Sequence, residues 1–394
     1  MEKYDIAVIG AGPAGSMAAK YAAKVGANVV LLEEHPQVGW PIECAGLIGW
    51  RALDEGELPP GKFVLSGLKG ATVYSPNEKN VSFEAESPRA WVVDRRLFDR
   101  SLALEAVRAG ADLRVKSHVK SILKSSSSDQ ISNILTLAGS DKIEAKMVIS
   151  AEGVRCNLAR KAGIAPPERI LSGAQVEAPF QVEDTEKVEI HLGASSGLFA
   201  WVIPLDESSA RIGLCTKEKS CEWLRVFLRK KIIQRRLLGS PVSLFVGGLP
   251  LGPSRCTVAN GLISVGDAAG QVKPTSGGGI YPGLLCAKIA GSVAAAAALE
   301  GDCSAKRLHE YDMRWRAFLG RELEIGMRLN KFLTRMSNEE LDEAIEYLGR
   351  KPDILSVIEE YGDIDRPSRL ILKMLPKIGL DGIKLVKLLR YALG

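Results

Sequence analysis

No two of the seven cysteines stand at a Cys-x-x-Cys spacing; they are scattered at positions 44, 156, 215, 221, 256, 286 and 303. That scatter argues against a zinc or iron–sulfur site of the chain's own, and the odd count argues against a disulfide framework. Histidine is scarce, and His35, His118, His191 and His309 fall in no catalytic pattern. Aromatic residues make up only 6% of the chain and no basic stretch is interleaved with them, so a nucleic-acid module has no support. No signal-type segment is read ahead of the first strand. The most apolar stretch, Leu284 to Leu299, is interrupted by Lys288 and falls short of the ~20 residues that cross a bilayer. The expectation is a cytoplasmic, metal-free protein, with peripheral contact at the inner membrane face left open.

What is present is more informative. The 394 residues are 46% apolar and 25% charged, enough for two or three structural units. Net charge is +5, which suits an anionic substrate, a membrane surface or simply a slightly basic globular protein. The first forty residues carry the strongest pattern. Asp5 to Ile9 is a short apolar run of the buried-strand kind, and it ends in Gly10-Ala-Gly12-Pro-Ala-Gly15. An Ala-rich segment from Ser16 to Lys24 reads as a helix, and Ala27 to Leu32 as a second strand ending at Glu33. Strand, glycine turn, helix, strand and acid in that order form the fingerprint of a dinucleotide site. Gly10 permits the tight turn, Gly12 lets a pyrophosphate approach the backbone, and Gly15 lets helix and strand pack closely. The helix N-terminus then faces the phosphates. Glu33, 21 residues beyond Gly12, is placed to accept from a ribose 2′-OH and disfavours a 2′-phosphate. The turn alone leaves FAD and NAD both open.

Further along, Glu34 to Gly49 reads as a loop with Cys44 in its middle, and Gly70 to Phe83 alternates as strands around a turn. A helix runs from about Trp91-Val-Val-Asp-Arg95 to Ala109, with Phe98, Leu102 and Ala106 on one face. From about Ser172 to Gly252 short strands with polar turns predict an antiparallel sheet inserted into the first unit. Cys221 to Leu238 reads as one basic amphipathic helix. Gly261 to Asp267 is a strand returning to the first sheet, followed by Pro274-Thr-Ser-Gly-Gly-Gly-Ile280 and an Ala-rich helix. Ser337 to Glu340 is a capping box. The expected fold is α/β: a Rossmann-like dinucleotide-binding domain (1–171 and 253–320), an antiparallel-sheet substrate domain (172–252), and a helical C-terminal region (321–394).

Three separated segments together match one pattern: Gly10-x-Gly12-x-x-Gly15 with Glu33, Arg95 in Arg-x-x-Phe-Asp, and Gly266-Asp267 with Gly277-Gly278-Gly279. They resemble the FAD-binding fold of p-hydroxybenzoate hydroxylase type, which implies FAD rather than NAD. Asp267 at a strand end is suited to the ribityl chain. The helix beginning near Gly279 is suited to the flavin's pyrimidine edge, where its N–H groups stabilise charge on the reduced ring.

Within that superfamily the chain is similar to the archaeal geranylgeranyl reductases over most of its length. The loop around Cys44, the Trp91–Asp99 element, Phe199-Ala-Trp201-Val-Ile-Pro204 and the Pro274–Ile280 run carry the likeness. The resemblance implies reduction of isoprenoid C=C bonds in membrane-lipid precursors, typically digeranylgeranylglyceryl phospholipids. It also implies FAD contacts at Ala14, Gly15, Glu33, Cys44, Ala45, Gly46, Arg95, Val119, Asp267, Gly279 and Ile280. The family's Asp-Gly pair after the late strand is Glu152-Gly153 here.

On that reading Phe199 and Trp201 wall an isoprenoid tunnel between the two domains. Cys44 is the ionisable side chain the motif places near the ring, as a flavin-positioning group or a proton donor. A ferredoxin, a deazaflavin or NAD(P)H is the expected electron donor, since no second nucleotide fingerprint exists. The basic tail from Arg369 to Arg390 would lie on anionic lipid or dock on the protein body. The competing expectations are a flavin monooxygenase or halogenase, prompted by Phe199-x-Trp201-x-Ile203-Pro204, and an electron-carrier flavoprotein.

Overall fold

The computed structural model describes residues 1–127, 130–363 and 365–378. In chain order the strands are β1 (Glu2–Ile9), β2 (Val29–Leu32), β3 (Leu47–Gly49), β4 (Val64–Leu68), β5 (Gly70–Tyr74), β6 (Asn80–Glu84), β7 (Ala90–Val93), β8 (Asp112–Arg114) and β9 (Val119–Ser127). They continue with β10 (Gln130–Leu137), β11 (Lys142–Ser150), β12 (Arg169–Pro179), β13 (Lys187–His191), β14 (Ala200–Asp206), β15 (Ser209–Thr216), β16 (Ser243–Leu251), β17 (Val258–Ala259) and β18 (Leu262–Ser264). The helices are α1 (Pro13–Lys24), α2 (Trp50–Gly56), α3 (Arg95–Arg108), α4 (Asn157–Lys161), α5 (Ser220–Leu228) and α6 (Lys231–Gln234), then α7 (Ile280–Glu300), α8 (Ala305–Trp315), α9 (Arg321–Leu333), α10 (Asn338–Gly349), α11 (Pro352–Tyr361) and α12 (Pro367–Met374).

The first sheet runs β17-β18-β11-β1-β2-β8, with β10 and β9 added beside β11. Its central pairs, β18–β11, β11–β1, β1–β2 and β2–β8, are all parallel. Such strands are buried on both faces, which is why Ile6 to Ile9 and Val29 to Leu32 are continuous apolar runs rather than alternating ones. Helices α1, α3 and α7 cover one face. Where α7 crosses α1, a Cβ at Gly291 would lie 2.2 Å from the carbonyl oxygen of Ala18, so only glycine permits that approach. Helix α7 spans 21 residues, longer than the Leu284–Leu299 stretch expected, and is apolar enough by composition to cross a bilayer. Its burial accounts for that composition, because 72% of its most apolar window is packed inside the protein.

The second sheet has seven strands in the order β16-β12-β15-β14-β13-β5-β6. Its membership departs from the expected 172–252 span, because β5 and β6 join it through a parallel β5–β13 pair. Strand character at 70–84 is visible locally, but a partner about a hundred residues away is not. A third sheet, β3-β7-β4, sits between the other two and carries the Cys44 loop into β3 and the chain from β7 into α3.

The segment expected as one helix from Cys221 to Leu238 is two short ones. The chain opens at Lys230, whose backbone is extended, and then turns Arg236 inward. That guanidinium takes both carboxylate oxygens of Glu189, at 3.0 and 2.6 Å, and lies over the Phe180 ring. The buried pair outweighs continuation of the helix. The capping box of α10 forms with both hydrogen bonds, Ser337 to Glu340 and back. The basic tail falls partly outside the described residues: Lys384, Leu385, Val386, Lys387, Leu389 and Arg390 all lie there.

Candidate functional site

Strand β1 delivers the chain to the glycine turn at the carboxyl end of the parallel sheet, where open α/β sheets form their ligand crevice. The three glycines have different duties. A Cβ on Gly10 (φ +96°) would lie 2.4 Å from the oxygen of Ala151, and one on Gly15 would lie 1.8 Å from the oxygen of Gly10. Both are packed into the protein. A Cβ on Gly12 would meet nothing within 4 Å, so this residue faces open space at the start of α1, which has no side-chain cap. Glu33, at the end of β2, is buried. One carboxylate oxygen accepts from the Ala11 N–H at 2.9 Å, and the other from the His35 N–H at 3.0 Å, with His35 Nδ1 at 2.8 Å.

At the opposite end, Asp267 follows β18 and lies against the first turn of α7. A Cβ on Gly279 would sit 2.9 Å from Asp267 Oδ1, so the N-cap of α7 must be glycine for the carboxylate to occupy that place. Among the described residues no donor is hydrogen-bonded to this carboxylate. Burial pushes its pKa up to about 6, against the pull of Arg95.

Between these ends stands the Cys44 loop. Cys44 Sγ accepts from the Gly46 N–H at 3.4 Å and lies beside Arg95. Arg95 forms a bidentate pair with Asp99, both bonds at 2.8 Å. Burial alone would lower the guanidinium's pKa, but Asp99 and Cys44 more than offset this and hold it above its ordinary value. The second sheet grips the loop from below. Arg211 on β15 is buried, pairs with Glu177 at 2.9 Å, and donates to the carbonyls of Ala45 at 2.9 Å and Val93 at 3.1 Å. Gln175 on β12 donates to the Cys44 carbonyl at 3.5 Å and accepts from the Trp201 indole N–H at 3.0 Å. Trp201 lies flat over Gly213, where a Cβ would come within 2.6 Å of the indole, and meets Phe199 edge-to-face at 6.4 Å.

One cavity of about 1080 Å³ joins all of this. Gly10, Gly12, Ala14, Gly15, Glu33, Cys44, Ala45, Arg95, Val119, Asp267, Gly279, Ile280, Phe199 and Trp201 all line it. Gly46 is the exception among the expected residues. At φ +71° its Cβ direction meets Arg211 Nη1 at 2.3 Å, so it gives Arg211 access to the loop and is not on the cavity wall. Glu152, which stands where the family pattern has Asp, uses its longer side chain to cap α4, accepting from Leu158 N–H at 2.9 Å and Ala159 N–H at 3.0 Å.

Sequence reading missed Arg211, Gln175 and the pair formed by Lys273 and Asp365, whose side chains meet at the cavity edge beside Gly278. A buried arginine inside a strand, in Ala210-Arg-Ile-Gly-Leu214, was the available signal, since isolated charges are not placed in cores without a partner.

The residues fit a flavin dinucleotide. The open face of Gly12 and the uncapped N-terminus of α1 would receive the diphosphate, and Glu33 would stand at the adenosine end. The unpartnered Asp267 carboxylate suits the ribityl hydroxyls, and the N-terminus of α7 would serve the ring's pyrimidine edge. The volume, above the ~300–1,000 Å³ of an ordinary ligand pocket, leaves room for a second molecule. The fold and site define an FAD-dependent oxidoreductase.

The lycopene cyclase protein family model matches residues 5–211. The chain is 36% identical to the digeranylgeranylglycerophospholipid reductase of Methanocaldococcus jannaschii over 363 residues, covering 89% of this chain and 92% of that protein. It is 35% identical to digeranylgeranylglycerophospholipid reductase 2 of Methanothermobacter thermautotrophicus, covering 94% of this chain and all of the other. The crystal structure of a geranylgeranyl bacteriochlorophyll reductase-like protein from Thermoplasma acidophilum superposes with a TM-score of 0.84 at 25% identity, over 98% of this chain and 100% of that one. The chain belongs to the digeranylgeranylglycerophospholipid reductase family, and its cofactor is FAD. Family membership favours the reductase over the halogenase and electron-carrier expectations.

Proposed function

We propose that this enzyme saturates C=C bonds of geranylgeranyl chains in archaeal membrane-lipid precursors such as digeranylgeranylglyceryl phospholipid. The observation that carries the reading is the continuity of the cavity. It runs from the glycine turn past Cys44 into an arm walled by Leu68, Ala71, Phe83, Val188, Ile190 and Ile203, side chains that suit an isoprenoid and offer a polar substrate little. In this reading residues 1–171 and 253–320 hold the cofactor. The second sheet, 172–252 together with β5 and β6, holds the lipid, and Ile358, Glu359, Gly362, Asp363, Asp365 and Leu370 of the C-terminal region border the cavity.

When bound and reduced, FAD supplies a hydride equivalent to one alkene carbon. The chain's own residues do the rest. Trp201, its N–H occupied by Gln175, presents only an apolar ring face to the substrate and keeps water from the reacting bond. Arg211 and Gln175 hold the Cys44 loop against the sheet, so the thiol stays at one position. Cys44 gives its proton from Sγ to the other alkene carbon and takes one back from solvent before the next turnover. Reducing equivalents come from a ferredoxin, a reduced deazaflavin or NAD(P)H. The enzyme works in the cytoplasm at the inner membrane face, where its substrate lies.

The experiment is anaerobic reduction of the holoenzyme with dithionite, addition of a geranylgeranyl phospholipid, and mass spectrometry of the lipid. Addition of two hydrogens per double bond is expected; an unchanged lipid mass sinks the reading. Cys44→Ser is expected to keep its FAD and lose most of the rate. Reduction at the wild-type rate by this variant would remove Cys44 from the mechanism.

A further inference from the structure

Strand β16 is an edge strand of the second sheet whose two faces lead to different places. Phe245, Gly247 and Leu249 line the cavity. Leu244 and Val246 point the other way, on the face they share with their cross-strand partners Val176 and Ala174. Helix α5 packs Leu224 and Phe227 onto that face and covers Ala174 and Val176, but β16 beside them is left bare. Leu244 is 59% exposed and Val246 49%, and the residue entering the strand, Val242, is 76% exposed. On the outer side of α5, Val226 is 58% exposed and Trp223 38%. Scattered exposed aliphatics are ordinary, but Trp223 and Val226 on the helix covering this face, with Val242, Leu244 and Val246 beside it, form an interaction surface.

Its charge identifies the partner. Residues 217–236 carry eight Lys or Arg against Glu218 and Glu222. Arg225, Arg229, Lys231 and Arg235 are exposed and, among the described residues, have no carboxylate partner. Unneutralised cations of one sign flanking protruding apolar side chains, with an indole among them, match an anionic bilayer. Phosphates take the cations, and the acyl boundary takes Trp223, Val226, Leu244 and Val246. An acidic protein would satisfy the cations but leave the aliphatics without a complement.

We propose that α5, α6 and the bare face of β16 form a membrane-docking surface for an anionic lipid bilayer. It seats the second sheet so that a lipid chain reaches the cavity from the other side of the same strand. The proposal draws its purpose from the lipid-reductase reading above, but its surface is argued independently of it.

The test is co-sedimentation of the FAD-loaded full chain with phosphatidylcholine vesicles containing or lacking phosphatidylglycerol. Binding is expected only with the anionic lipid, and weaker at high salt. Arg225→Ala with Arg229→Ala should lower the affinity by about fivefold per cation removed. Val226→Ser with Leu244→Ser should weaken binding without changing its salt dependence. Both double variants should reduce detergent-dispersed substrate at the wild-type rate. The proposal is overturned if the variants sediment like wild type. It is also overturned if the full chain ignores both kinds of vesicle while an acidic redox protein binds it through Arg225 and Arg229. If vesicles bind as expected but dispersed lipid is not reduced by the wild type, the functional reading fails and the surface stands.

Discussion

At the scale of single residues, the glycine turn separates two physical duties that look identical in sequence. Gly15→Ala places a Cβ where the Gly10 carbonyl already stands, so it should destabilise the FAD-free protein by about 3 kcal/mol or more. Gly12→Ala meets no protein atom and should leave the FAD-free unfolding transition where it is, while FAD binding is lost to the added methyl group. Thermal unfolding alongside FAD absorbance reads both. Asp267 yields a pH prediction. Its folded pKa, about 6, is above the ordinary carboxylate value, so the folded state holds the proton more tightly than the unfolded chain. Its contribution is complete below about pH 4 and is lost as pH rises through 6, at up to about 3 kcal/mol. Urea unfolding of the FAD-free protein should therefore lose stability between pH 4 and 7 relative to Asp267→Asn. Parallel pH profiles for the two proteins would refute the assignment.

At the scale of elements, the link between sheet and loop is Arg211. It leaves β15 to reach two carbonyls of other elements, and Gly46 exists in that loop to admit it. Arg211→Met should cost about 2–3 kcal/mol, because Glu177 and both carbonyls lose their partner together. It should also slow reduction more than it weakens FAD binding, since the loop bearing Cys44 is freed while the glycine turn is untouched. Stopped-flow reduction rates set against FAD titration separate these effects. If the loss falls on FAD affinity alone, the loop does not position the chemistry.

At the scale of the whole molecule, the C-terminal region is tied to the edge of the cavity by two ion pairs reaching back across the chain. Arg51 holds Asp363 at 3.0 Å, and Lys273 holds the buried Asp365. Lys273→Met leaves Asp365 buried and unpaired, which should cost about 3 kcal/mol and speed FAD release. Adding Asp365→Leu should restore much of the stability, because the uncompensated charge is gone. A double variant no more stable than the single one would show that Asp365 is held by something else.

Much of this protein was written locally. The apolar runs of β1 and β2, the glycine turn, the acid at Glu33 and the cap at Ser337 depend on neighbours within a few turns of chain, and each forms as its residues require. The cofactor followed from the family resemblance that three such segments carry together, since the glycine turn by itself suits FAD and NAD alike. What sequence could not supply was contact between distant residues. The pairing of β5 with β13, the break after α5 that turns Arg236 inward, and the grip of Arg211 on the Cys44 loop join segments about fifty to more than a hundred and fifty residues apart. No periodicity records those pairings, because they are decided by which buried charges and strand edges remain to be satisfied once the sheets have packed. The chain alone therefore determined a dinucleotide-type turn and, through family resemblance, the cofactor. Tertiary structure decided what surrounds that turn: a Cys44 loop held through the Ala45 carbonyl by an arginine from another sheet, and a cavity with apolar walls beside it.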